Sequence, residues 1–168
     1  MKKSRRFLLL MVISLLLLAI PMTALANKQV WKARLTSSAE VGHEVVGSSA
    51  AGAAVFATNP DGSLHFIMTV RGLSGDVTGA HIHGPATEAE NAPIIISLCG
   101  SPGPAAVASC TVTDGDLLVE GDITSSLLAS WGLGGGTLRS WMDSGQTYVN
   151  VHTALNPAGE ARGQIFPR

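Results

Sequence analysis

The sequence predicts an all-β domain: a single antiparallel β-sandwich or barrel with one or two short helical turns. Three observations carry this. Runs of six to eight residues in which apolar and polar side chains alternate recur along the chain beyond residue 30, each cut off by Gly, Pro, Asn or Asp. Helical spacing of apolar residues is confined to 125–131 and 138–143, on either side of Gly134, Gly135 and Gly136. No repeat of solenoid length is present, so a single layered core is expected.

The elements follow in order. Residues 1–6 carry Lys2, Lys3, Arg5 and Arg6, the run 7–20 is apolar except for Ser14, Pro21 breaks it, and Ala24 and Ala26 flank Leu25. This is a signal peptide, with cleavage expected after Ala26 and a mature domain over 27–168. An uncleaved anchor is the alternative, but the run is shorter than the roughly 20 apolar residues a membrane span needs. No stable membrane insertion is expected after cleavage. Loss of the four basic residues leaves seven against twelve acids, a mature net charge of −5. An acidic surface argues against nucleic acid and anionic membrane as partners.

Strands are expected over 30–36, 53–58, 64–71, 78–83, 94–99, 107–113, 117–123, 147–153 and 161–166. In the third, Leu64, Phe66, Met68 and Val70 share one face, and His65, Ile67, Thr69 and Arg71 the other. Asn59-Pro60-Asp61-Gly62 before it reads as a hairpin turn. Cys99 and Cys110 flank a Pro- and Gly-containing segment, and an isolated pair in an oxidising compartment reads as a disulfide stapling a hairpin. Two free thiols or half of a metal site are the alternatives. Trp31, Trp131 and Trp141 read as packing residues, and His43 and His65 as exposed. The glycines of 132–136 lack the Lys of a phosphate loop, and no G-x-S-x-G elbow is present, which removes two common enzyme classes.

The chemistry lies in two segments, Ala80-His81-Ile82-His83-Gly84-Pro85 and Tyr148-Val149-Asn150-Val151-His152-Thr153. On a strand, His81 and His83 project together, and so do Tyr148, Asn150 and His152. Ile82, Val149 and Val151 would then face the core, and the imidazoles would gather on the other side if the two strands are neighbours.

The stretch 73–85 (LSGDVTGAHIHGP), followed far downstream by 144–164 (SGQTYVNVHTALNPAGEARGQ), resembles the CHRD domain, a family named from chordin and found in bacterial exported proteins. The resemblance covers residues 30–166. It departs after Ala39-Glu40-Val41, where the family has a proline pair and this chain has Gly42 and His43. The resemblance implies an immunoglobulin-like or barrel-like β fold and an exported protein, extracellular, periplasmic or attached to the cell envelope. It supplies no established enzyme activity.

Two readings of the histidine face follow. In one, His81, His83 and His152 hold copper or zinc, with Glu160 or Tyr148 as a further ligand, because an H-x-H strand plus one imidazole from elsewhere supplies the three protein ligands of an open metal site. In the other, the histidines join Tyr148, Asn150, Thr153, Glu160, Arg162 and Gln164 in a hydrogen-bonded network that fixes strand register. Glu160 and Arg162 share a face after the turn 156–159 and read as charges paired with each other or with a neighbouring strand. The function expected is a secreted, non-catalytic binding or matrix-interaction module for an extracellular protein or matrix ligand. An extracytoplasmic metal-binding protein, with a metalloenzyme as its catalytic form, is the alternative.

Overall fold

The computed structural model describes residues 28–168, and the signal peptide expected over 1–26 lies outside the described residues. Ten strands follow one another: β1 (Val30–Thr36), β2 (Ala51–Thr58), β3 (Leu64–Arg71), β4 (Val77–His83), β5 (Ile94–Gly100), β6 (Ala106–Ala108), β7 (Thr111–Thr113), β8 (Asp116–Ile123), β9 (Tyr148–Thr153) and β10 (Ala161–Pro167). Between β8 and β9 lie two short helices, α1 (Ser125–Ser130) and α2 (Gly135–Asp143). The domain is all-β, as the alternation predicts. Gly135 and Gly136, read above as a break between helical turns, instead form the first turn of α2 behind the N-cap Gly134.

All ten strands belong to one sheet in the order β6-β5-β4-β9-β10-β1-β2-β3-β8-β7. Every neighbouring pair is antiparallel except β5 and β6. The sheet curls, so its two ends approach. Val107 of β6 packs at Gly121 of β8, where a Cβ would lie 2.5 Å from its methyl; a glycine there lets the ends close. The single strand expected over 107–113 is thus two strands at opposite ends of the sheet order. Cys110 stands between them and is bonded to Cys99 of β5, with Cα atoms 5.1 Å apart. The bridge therefore ties β5 to the linker between β6 and β7 and does not staple a hairpin.

The concave face holds the core. β3 shows the expected alternation, with Leu64, Phe66, Met68 and Val70 buried and Ile67, Thr69 and Arg71 exposed. Trp31 and Leu35 of β1, Phe56 of β2, Ile82 of β4, Ile96 and Leu98 of β5, Leu117 and Val119 of β8 and Val149 and Val151 of β9 join them. Each such side chain contributes roughly 1.5–3 kcal/mol of burial free energy. The β2–β3 turn forms as the sequence predicts: Asn59 and Ser63 close it, Gly62 takes φ +85°, and the Asp61 carboxylate accepts from the Ser63 amide.

The convex face is exposed over β2, β3 and β8, but not over β4, β9 and β10. There the side chains opposite the core are also buried: His81, His83, Asn150, Arg162 and Gln164 are at most 8% exposed. Alternation predicts two faces correctly but says nothing of a second cover. The cover consists of loops, drawn from residues 40–46, 84–93, 101–105 and 154–160.

Candidate functional site

β4 and β9 are neighbours, with His83 opposite Tyr148, His81 opposite Asn150 and Gly79 opposite His152. Directly opposed residues of an antiparallel pair project to one side, so all five side chains meet beneath the loops. Gly79 contributes no side chain, and that leaves room: a Cβ there would lie 2.9 Å from His81 Nε2. The rings of His81 and His152 have centroids 4.9 Å apart, and His83 is 5.9 Å from each of them. One ring nitrogen from each histidine lies within 4.8 Å of the other two.

The hydrogen bonds determine the tautomers. His81 Nε2 faces the Ser101 carbonyl at 3.0 Å, His83 Nδ1 the Ala92 carbonyl at 2.8 Å, and His152 Nδ1 the Pro157 carbonyl at 3.1 Å. A carbonyl only accepts, so each of those nitrogens carries the hydrogen. The other nitrogen of each neutral ring is then a bare lone pair. These nitrogens, His81 Nδ1, His83 Nε2 and His152 Nε2, are buried and have no hydrogen-bond partner.

Neutrality is favoured by the surroundings. Burial, followed by the neighbouring histidines, holds the His81 imidazole down at about 4 against the pull of the Ser101 carbonyl. Burial also holds His83 at about 4, with the Ala92 carbonyl opposing and His152 and Arg162 assisting. His152 is lowered too, mainly by burial. At neutral pH all three present lone pairs rather than charges.

The surrounding polar residues anchor the loops that supply the carbonyls. Arg162 donates to the Thr87 and Glu90 carbonyls at 3.1 and 2.7 Å and to Asn91 Oδ1 at 2.8 Å, which ties down the segment leading to Ala92. Its guanidinium lies 3.6 Å from the centre of the Tyr148 ring, and Tyr148 in turn stacks on His83 at 4.8 Å. The Tyr148 hydroxyl accepts from the Ala92 amide at 3.1 Å, and Gln164 donates to the Ala86 carbonyl at 2.7 Å. Ser97 donates to the Pro102 carbonyl at 2.6 Å, beside Ser101.

Glu160, expected as a further ligand, is not among the residues of the cluster. Its carboxylate accepts from the Ser74 amide and the Thr153 hydroxyl, in the turn that presents Pro157. Burial pushes this carboxyl up, but hydrogen bonds involving Thr153, Ser48, Ser74 and Asn156 outweigh it and hold the group below its usual range. The pairing of Glu160 with Arg162 does not form, since each serves a different loop. The hydroxyl and the ring of Tyr148 are likewise both engaged.

Two residues that flank this site, outside the imidazole cluster, were not legible in the sequence. Half-buried rather than exposed, His43 bonds through Nε2 to the Gly159 carbonyl at 2.9 Å. Glu40 accepts from Asn150 Nδ2 at 3.2 Å, and burial raises its carboxyl to about 7 against the opposing influence of His43, Asn150 and Arg162. A cleft of about 350 Å³ lined by Arg34, Val41, Glu88 and Arg162 opens beside Glu40. Both residues reach the site from a loop about 110 residues away in sequence, and no local pattern signals such a contact.

A family model, the CHRD domain, matches residues 31–165. The chain belongs to the CHRD domain family. The match spans β1 to β10 and so includes both histidine strands and the loops above them. Neither a characterised protein nor a solved structure matches the chain. Among the described residues of this CHRD domain, no helix is long and apolar enough to cross a membrane.

Proposed function

We infer that this CHRD domain is a non-catalytic binding module outside the cytoplasm, and that its ligand is a transition-metal ion held by His81, His83 and His152. One observation carries the reading: three imidazoles, two buried and His152 half-buried, each with one nitrogen bonded to a backbone carbonyl and the other a buried lone pair without a partner. An unpaired buried acceptor costs about 1–3 kcal/mol, so a purely structural network would leave three such costs uncompensated. A metal ion removes all three, and carbonyl-oriented imidazoles are the usual outer shell of a histidine metal site. Nitrogen ligands of an ion bonded at about 2.0–2.1 Å stand roughly 3.3–3.6 Å apart, so the cluster needs to close by about an ångström. Export is supported by the N-terminal charge and hydropathy pattern and by a disulfide, a bond of oxidising compartments.

The test is elemental analysis of protein produced from the full chain without a His tag, beside a variant carrying His83→Ala and His152→Ala. Near-stoichiometric metal, absent from the variant, is the expected result. Metal-free protein after growth and dialysis with copper and zinc would overturn the reading and return the search to a protein or matrix ligand.

A further inference from the structure

We propose that the ion is copper held as Cu(I), three-coordinate, bound by the three imidazoles alone. The proposal rests on the metal-site reading above and adds the identity and charge of the ion.

The donor set decides first. Zinc sites are almost always four-coordinate, and those that take only three protein ligands keep a water or substrate in the fourth position. Here the candidates for a fourth ligand are engaged elsewhere: Glu160 accepts from Ser74 and Thr153, and the Tyr148 hydroxyl sits against Ala92. Among the described residues the cysteines are in a disulfide, so no thiolate is available. What remains on the protein side is three neutral nitrogens, a set that is complete for Cu(I) but that leaves zinc to find a water as its fourth ligand beneath the loops.

Charge decides next. No carboxylate belongs to the cluster, so the full charge of the ion stays on the site. His81 and His83 are 2% and 8% exposed. The cost of a charge in a low-dielectric site grows with its square, so a divalent ion costs about four times as much to bury as a monovalent one. Arg162 adds a fixed positive charge, stacked on the Tyr148 ring that itself stacks on His83. Both terms favour the ion of lower charge. Cu(II) is disfavoured on the same grounds, and it also prefers a tetragonal set of nitrogen and oxygen ligands that three imidazoles do not complete.

The experiment is an anaerobic titration of the purified, metal-stripped protein with Cu(I) in competition with a chromophoric Cu(I) chelator, and in parallel with Zn(II) against a zinc indicator. One Cu(I) per chain, with zinc held more weakly, is the expected outcome. The copper form should remain silent in electron paramagnetic resonance after exposure to air, and X-ray absorption should show three nitrogen neighbours. Glu40→Gln should bind Cu(I) with unchanged stoichiometry, because no carboxylate is a ligand. Loss of copper from that variant while it remains folded by circular dichroism would overturn the all-imidazole set. Zinc bound as tightly as Cu(I) would overturn the copper assignment, and copper that turns wholly to a Cu(II) signal in air would overturn the Cu(I) assignment, in each case leaving a metal site in place. Retention of no metal at all would overturn the metal-site reading itself.

Discussion

Acid should unfold the metal-free protein by a route that the histidine cluster dictates. His81 and His83 are held at about 4 in the fold and return to their ordinary 6.5 when unfolded. Between those values the unfolded chain binds one more proton at each, so stability falls as the pH drops from 6.5 towards 4. Glu40 acts in the opposite direction: at about 7 in the fold and 4.5 when unfolded, it holds a proton that the unfolded chain has released. From pH 6.5 to 4.5 each histidine removes about 2 kcal/mol and Glu40 returns a similar amount, which leaves a net loss of about 2 kcal/mol. His152, lowered in the same direction, adds to the loss. Glu160, held below its usual range, adds a loss that begins near its ordinary 4.5, where the unfolded chain takes up a proton that the folded carboxylate does not, and that is complete once the folded carboxylate protonates too. The assay is the urea midpoint in the presence of EDTA at pH 6.5, 5.5 and 4.5, for the parent protein and for Glu40→Gln. The parent should lose about 2 kcal/mol and the variant about 4, because the variant lacks the opposing group. Equal midpoints across this range in both proteins would refute the reasoning, since they would mean that the imidazoles protonate freely in the folded state.

Two further predictions follow from the packing. Gly79→Ala places a methyl 2.7 Å from the Ser101 carbonyl and 2.9 Å from His81 Nε2, so thermal unfolding should show a loss of about 1–3 kcal/mol together with lower metal stoichiometry. Unchanged metal content in a less stable variant would show that the His81 position tolerates the displacement. Replacing Cys99 and Cys110 together by Ala should cost about 3 kcal/mol from the chain entropy of an 11-residue separation, read as a lower denaturant midpoint that reducing agent no longer shifts.

Much of the strand plan was legible because half-buried strands impose a period of two. β1 and β3 run over the residues the alternation marks, and the Asn59 to Gly62 turn announces its hairpin. The segment 107–113 misled for a definite reason. Its alternation is continuous, but the strand break at Ser109 and Cys110 follows from a bridge to Cys99 and from the closing of the sheet ends, which are long-range events. The sharing of a face by His81 and His83 was legible as well, since it needs only one strand. Their meeting with His152 was not, because it depends on β4 pairing with β9 across nearly seventy residues.

The sequence by itself determined what is local: the alternation that makes the domain all-β, the turns, the cysteine pair, the two histidine strands, and the motifs through which the CHRD family is visible. Only the tertiary structure decided which strands are neighbours, that loops roof the polar face, and which carbonyl meets which ring nitrogen. A β-strand specifies its own two faces through the pleat, but its partners and its cover are settled by burial and hydrogen bonding across the whole chain. The lone pairs of His81, His83 and His152 are a product of that second level, since each tautomer is set by a carbonyl on a different loop.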